Sequence, residues 1–204
     1  MEDKIRSIKE KISDTIAESI TVKTRMLSGS IKSIKSCGEI LADVSKSGKK
    51  IFFCGNGGSA ADSQHLAAEL VVRLRGDINR RALPAIALTV DTSVITACGN
   101  DYSFDDIFAR ALEGYGAEGD ALVAISTSGN SANVIKAISQ AKKMGISVIG
   151  LLGKDGGKIY PMCDDSVVIP SDITARIQEC HIMVGHIWCE IIEEELFPEL
   201  FPSN

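Results

Sequence analysis

The chain has 204 residues, enough for one domain with a full core, and 45% hydrophobic against 24% charged residues marks a soluble globular protein. A formal charge of −5 argues against a nucleic-acid partner, so an anionic ligand must be held by local geometry rather than by a long-range positive field. No apolar run reaches the ~20 residues of a membrane-spanning helix, and the charged opening MEDKIRSIKEKISD lacks the apolar centre of a secretory leader, so a cytoplasmic protein with no membrane partner is expected.

Residues 2–48 contain no proline and carry apolar positions three and four apart. Ile16, Ile20 and Val22 belong to a first stretch, and Ile31, Ile34, Ile40, Leu41 and Val44 to a second. The pattern predicts two helices with a break near Ser28-Gly29-Ser30. Their apolar stripes precede any strand, so they pack on the later domain or on another subunit. Residues 1–48 therefore read as a helical segment used in oligomerisation, and residues 49–204 as the main domain.

From Lys50 the rhythm changes. Five short apolar runs, KIFFC (50–54), LPAIALT (83–89), DALVAIS (120–126), ISVIGLL (146–152) and DSVVIP (165–170), alternate with segments near 59–74, 93–113, 131–144, 155–163 and 173–197. Most of those segments are long enough for helices. Continuous apolar strands between helices predict an α/β fold with a five-stranded parallel sheet covered on both faces, a flavodoxin-like, doubly wound sandwich. The six cysteines show no CxxC pair or zinc-finger spacing and read as core thiols.

Two strand–loop–helix units share a form, FFCGNGGSAADS and VAISTSGNSANV. In an open parallel sheet, ligands sit beyond the carboxyl ends of the strands. Gly57 and Gly58 let backbone N–H groups approach an anion, and Ser59 opens a helix whose dipole favours negative charge. The second loop offers Ser126, Thr127, Ser128 and Ser131 around Gly129. Gly and Ser also make ordinary turns and caps. Neither loop matches a dinucleotide or P-loop pattern, and two such loops at one sheet's strand ends point to a small phosphorylated ligand.

On these residues the chain resembles the sugar isomerase (SIS) domain family, and within it the phosphoheptose isomerase branch. The matching segments are CGNGGSAADSQHLAAEL (54–70), LPAIALT, GNDYSFDDIFAR (99–110), GDALVAISTSGNSANVIKA (119–137), GKDGGK (153–158) and ARIQECH (175–181). The resemblance implies an aldose–ketose isomerase that converts sedoheptulose 7-phosphate to D-glycero-D-manno-heptose 7-phosphate, for lipopolysaccharide or capsule synthesis. It also implies a homotetramer with active sites between subunits. Ala175 departs from the pattern, standing where some members carry an aspartate before RIQ. Some close homologues instead bind the bacterial replication initiator without catalysis, and others isomerise different sugar phosphates.

Such chemistry passes through an enediol and needs a base at carbon and an acid at oxygen. His65 and Glu69 are four apart on one helix face, while Gln178 and His186 are eight apart, about 80° around the last helix. Each has a structural alternative: Glu69 can pair with Arg73 one turn on, and His186 sits in the apolar stretch VGHIWCEII. The resemblance assigns Glu69 as general base and His186 as general acid. It places Asn56, Gly57, Gly58, Ser59, Arg73, Asn100, Asp101 and Gln178 at substrate-contacting positions beside the serine loop, with helix capping the alternative for Asp101. It also aligns His65, Glu69, Gln178 and His186 with a zinc site of some members, suited to two imidazoles and a carboxylate. His181 falls on another side of its helix and reads as structural.

Overall fold

The structure is a computed structural model that describes residues 7–201. Residues 2–6 of the first predicted helix, and residues 202–204 at the other end, lie outside the described residues.

Two N-terminal helices form where the apolar spacing predicts them. Helix α1 (Ile8–Gly29) opens with a capping box: the Glu10 backbone N–H donates to Ser7 Oγ at 3.2 Å, and the Ser7 N–H donates to the Glu10 carboxylate at 2.8 Å. Helix α2 (Ile31–Lys46) follows at once, with Ser30 between them. Only Val22 and Met26 of α1 are buried, whereas Ile8, Ile12, Ile16 and Ile20, spaced four apart, are all more than half exposed. That leaves one apolar stripe of α1 without a partner inside the chain.

The five apolar runs become strands β1 (Ile51–Cys54), β2 (Ala85–Ala87), β3 (Ala121–Ser126), β4 (Ser147–Gly153) and β5 (Asp165–Ile169). They pair in parallel in the order β2-β1-β3-β4-β5. The expected doubly wound, flavodoxin-like sheet is present. Between the strands run α3 (Gly58–Val71), α4 (Thr92–Asp101), α5 (Ile107–Tyr115) and α6 (Ala132–Lys143), with α7 (Thr174–Leu196) closing the fold.

Strand alternation sorts the core into two layers. Ile51, Phe53, Val123, Ile125 and Leu151 face α2, α3 and α7, while Phe52, Cys54, Leu122, Ala124 and Val148 face α4, α5 and α6. Trp188 of α7 is buried against the first layer, and its indole N–H donates to the Ile34 carbonyl at 2.9 Å. All six cysteines are free thiols, as expected. Among the described residues no helix is long and apolar enough to cross a membrane.

Two segments differ from the pattern. Residues 93–113 break into α4 and α5 around a single 3-10 turn, and 155–163 is a loop with one such turn at Tyr160–Met162. The second has a cause. Gly156 and Gly157 both take positive φ and lie against Gly129 of the serine loop, where a Cβ on Gly129 would meet the Gly156 carbonyl at 2.0 Å. The Ile159 N–H donates to the Gly129 carbonyl at 2.9 Å. The GKDGGK run is thus a backbone brace for the neighbouring loop.

Candidate active site

The sheet order places a topological switch between β1 and β3, where the chain leaves β1 towards β2 and returns to build the other side. Both glycine- and serine-rich loops leave the carboxyl ends of those two strands. The loops are joined directly: the Asn56 amide donates to Asn133 Oδ1 at 2.8 Å, and the Asn133 amide donates back to Asn56 Oδ1 at 2.8 Å. Asn133 is buried in the first turn of α6. It reads as a helix-start residue in the sequence, so its reach to a residue 77 positions away has no local signal.

In the serine loop, Ser126 Oγ lies 3.1 Å from Ser131 Oγ and accepts the Gly129 N–H at 3.1 Å. Ser128 Oγ accepts the Asn130 N–H at 3.2 Å, while Thr127 is half-buried alongside. Ser131 stands at the N-cap of α6 but forms no side-chain cap, and Gly57 at the N-cap of α3 has no side chain to offer one. Two neighbouring helix N-termini therefore stand beside a cluster of hydroxyls without an N-cap side chain over either, while the Ser59, Ala60 and Val134 N–H groups already have partners in their own turns. Ser59 is buried behind this edge.

Helix α3 carries the second half of the site. His65 Nε2 lies 3.1 Å from Glu69 Oε1, the four-residue spacing read from the sequence, and 2.9 Å from His186 Nε2 on α7. The two rings are tilted by 50° with centroids 5.1 Å apart. Which of the two ring nitrogens donates depends on the tautomer. The ligand atoms of His65, Glu69 and His186 all lie within 4.8 Å of one another, a grouping able to hold a metal ion.

Close helix packing makes this meeting possible. A Cβ on Gly185, next to His186, would stand 2.4 Å from the buried Leu66 of α3. At the other end, a Cβ on Gly58 would stand 2.2 Å from the Gln178 amide, so Gln178 meets α3 at its opening residue.

The remaining predicted residues are at the surface. Arg73 is exposed just beyond α3. Asn100 and Asp101 are exposed at the end of α4, where the Asn100 amide donates to Asp101 at 2.8 Å, and among the described residues no hydrogen bond links them to the histidine cluster. Asp62, one turn before His65, has a carboxyl raised above its ordinary value by burial, with His65 opposing, and its Oδ2 is buried without a partner. His181 is fully buried on α7 and takes no part in the grouping of His65, Glu69 and His186.

A model of the SIS domain matches residues 14–153, which include both loops and α3. The chain belongs to the SIS domain family. Full-length relatives extend this likeness of an SIS protein across α7. A phosphoheptose isomerase of Clostridium acetobutylicum is 53% identical over 194 residues, covering 94% of this chain and 98% of that protein. One from Nitratiruptor sp. is 59% identical over 155 residues, 76% of this chain and 82% of that protein. The solved phosphoheptose isomerase GmhA from Neisseria gonorrhoeae superposes with a TM-score of 0.87 at 42% identity, over 92% of this chain and all of that one. The SIS sandwich seen here is thus the fold of experimentally solved relatives.

Proposed function

We propose that this SIS protein is a sugar-phosphate aldose–ketose isomerase that converts sedoheptulose 7-phosphate to D-glycero-D-manno-heptose 7-phosphate. One observation carries the reading: a carboxylate and an imidazole of α3, the helix that begins at the glycine-rich loop, meet a second imidazole from α7. His65 lies seven residues from Gly58, about 10 Å along α3 at 1.5 Å per residue, a span comparable with an extended heptose phosphate. The relatives' shared activity supports the same conclusion.

In this mechanism Ser126, Thr127, Ser128 and Ser131 hold the phosphate at the N-termini of α3 and α6, whose dipoles favour negative charge. Anchoring the remote end fixes the reacting carbons without touching them. Glu69 then removes the proton from the carbon beside the carbonyl, and His186 supplies one at oxygen. Asn56, Gly57, Gly58 and Gln178 contact the sugar between the two ends, and Ser59 contributes from the first turn of α3. Arg73, Asn100 and Asp101 approach the sugar from the rim.

Zinc suits the histidine cluster. Two imidazoles and a carboxylate are a common zinc donor set, and their ligand atoms all lie within 4.8 Å of one another. His65, Glu69 and His186 would hold it, with Gln178 the fourth candidate. Bound there, zinc would act as a Lewis acid towards the sugar oxygens.

The exposed isoleucine stripe of α1 supports a homotetramer. It runs into an apolar groove of about 470 Å³ between α1, α2 and α7, lined by Ile20, Leu27, Ile31, Met183, Ile187 and Ile191. His65 is about half exposed, which leaves the site open to residues of a neighbouring subunit. A cytoplasmic location and a role in lipopolysaccharide or capsule synthesis complete the reading.

NMR of products formed from a panel of ketose phosphates tests the function. The heptose 7-phosphate aldose is expected from sedoheptulose 7-phosphate. Turnover of a different ketose phosphate in its place would overturn the substrate, and no turnover of any would overturn the isomerase.

A further inference from the structure

One ion pair in the core lies outside the machinery just described. Arg80, in the irregular segment after α3, donates from Nε to Glu193 Oε1 of α7 at 2.7 Å, and both side chains are fully buried. Its other nitrogens turn back onto α3. Nη2 donates to the carbonyl of Glu69 at 2.8 Å, and Nη1 donates to the carbonyl of Leu70 at 2.9 Å. These are carbonyls of the last turn of α3, which have no partner within the helix and lie at its negative end.

The pair is an expensive choice for stability alone. Two buried charges lose hydration that their attraction only partly returns, and apolar residues of similar size serve as well or better. Glu193 Oε2 even remains buried without a hydrogen-bond partner. Geometry offers the reason for keeping it. Glu193 follows His186 by seven residues, two turns along one face of α7. The guanidinium therefore connects the backbone of Glu69 to the face of α7 that carries His186. A planar fork reaching three acceptors at once fixes both distance and angle, which a lysine cannot do.

We propose that Arg80 and Glu193 are positioning residues: their buried ion pair clamps the end of α3 to α7 and so sets Glu69 against His186. This rests on the isomerase reading above, and its test separates the two. The variant R80M/E193M replaces the pair with apolar side chains of similar length. It is expected to fold, with KM within about threefold because the phosphate cradle is remote, while kcat falls roughly tenfold to a hundredfold, the scale of a misplaced reacting group. A crystal structure of the variant is expected to show the Glu69 carboxylate withdrawn from His186. A folded variant with wild-type kcat and unmoved Glu69 overturns the clamp. Should the double variant not fold, Arg80→Lys keeps the charge and loses the fork; the same split is expected, and wild-type kcat there overturns the proposal. If the wild-type protein turns over no ketose phosphate, the isomerase reading fails, and the position of Glu69 in the variant's crystal structure alone decides the clamp.

Discussion

Asn56 and Asn133 exchange two side-chain hydrogen bonds of 2.8 Å each, tying the loop after β1 to the first turn of α6. The clasp fixes the separation of the two helix N-termini that the proposed function uses as one anion cradle. Asn133 Oδ1 also accepts the Val134 N–H at 3.0 Å, so the side chain is braced on its own helix before it crosses to the other.

Replacing Asn133 by leucine keeps the volume and strands the Asn56 amide. Denaturation is expected to show a loss of about 1–3 kcal/mol, the cost of an unsatisfied partly buried polar group. Calorimetric affinity for inorganic phosphate is expected to fall several-fold with it. Adding Asn56→Leu removes the stranded partner, so stability recovers in part while affinity does not. Unchanged phosphate affinity in the single variant would show that the clasp does not shape the cradle.

Glu69→Gln keeps the shape of the side chain and removes its basicity. Turnover of sedoheptulose 7-phosphate is expected to fall by roughly 10²–10⁴-fold, the usual contribution of a placed base. Binding of the phosphosugar, measured by calorimetry, is expected to stay within about tenfold because the cradle is untouched. Full activity in the purified variant would remove Glu69 from the chemistry.

Much of the fold was legible because apolar periodicity reports burial directly. Phe52 and Phe53 point to opposite layers of the sheet, and both are core. The break between α1 and α2 falls at Ser30, within the Ser28–Ser30 stretch that the sequence marks. The spacing of His65 and Glu69 likewise put their side chains in contact, since four residues make one helical turn. What the sequence withheld are contacts between distant segments. His65 meets His186 across 121 positions and Arg80 meets Glu193 across 113, and nothing local marks either arginine or glutamate as buried. Residues 155–163 misled for the opposite reason. Their length suits a helix, but paired glycines at positive φ serve a loop that leans on Gly129.

The isoleucine stripe of α1 gives the oligomer a simple test. Ile12 is 56% exposed and Ile16 55% in the single chain, so Ile12→Glu with Ile16→Glu costs the monomer little. Burying a carboxylate against an apolar partner is far more costly. Sedimentation of the wild-type protein is expected to show a tetramer, and the double variant a smaller folded species. A variant that still sediments as the wild type would move the interface elsewhere.

His181 is expected to contribute to the loss of stability in acid. Burial pushes its imidazole down to about 4, with the Leu152 backbone opposing the shift. The unfolded chain titrates near the ordinary 6.5, so on acidification the unfolded state takes up a proton that the folded state refuses. Stability is therefore whole above about pH 6.5 and is lost progressively as the pH falls towards 4, by roughly 3 kcal/mol for this group. His181→Leu removes the titration and replaces a fully buried polar ring by an apolar side chain. Urea unfolding from pH 7.5 to 4.5 is expected to give a shallower decline in the variant, with stability at pH 7.5 no lower than in the parent. Parallel curves for the two proteins would assign the acid limb to other groups.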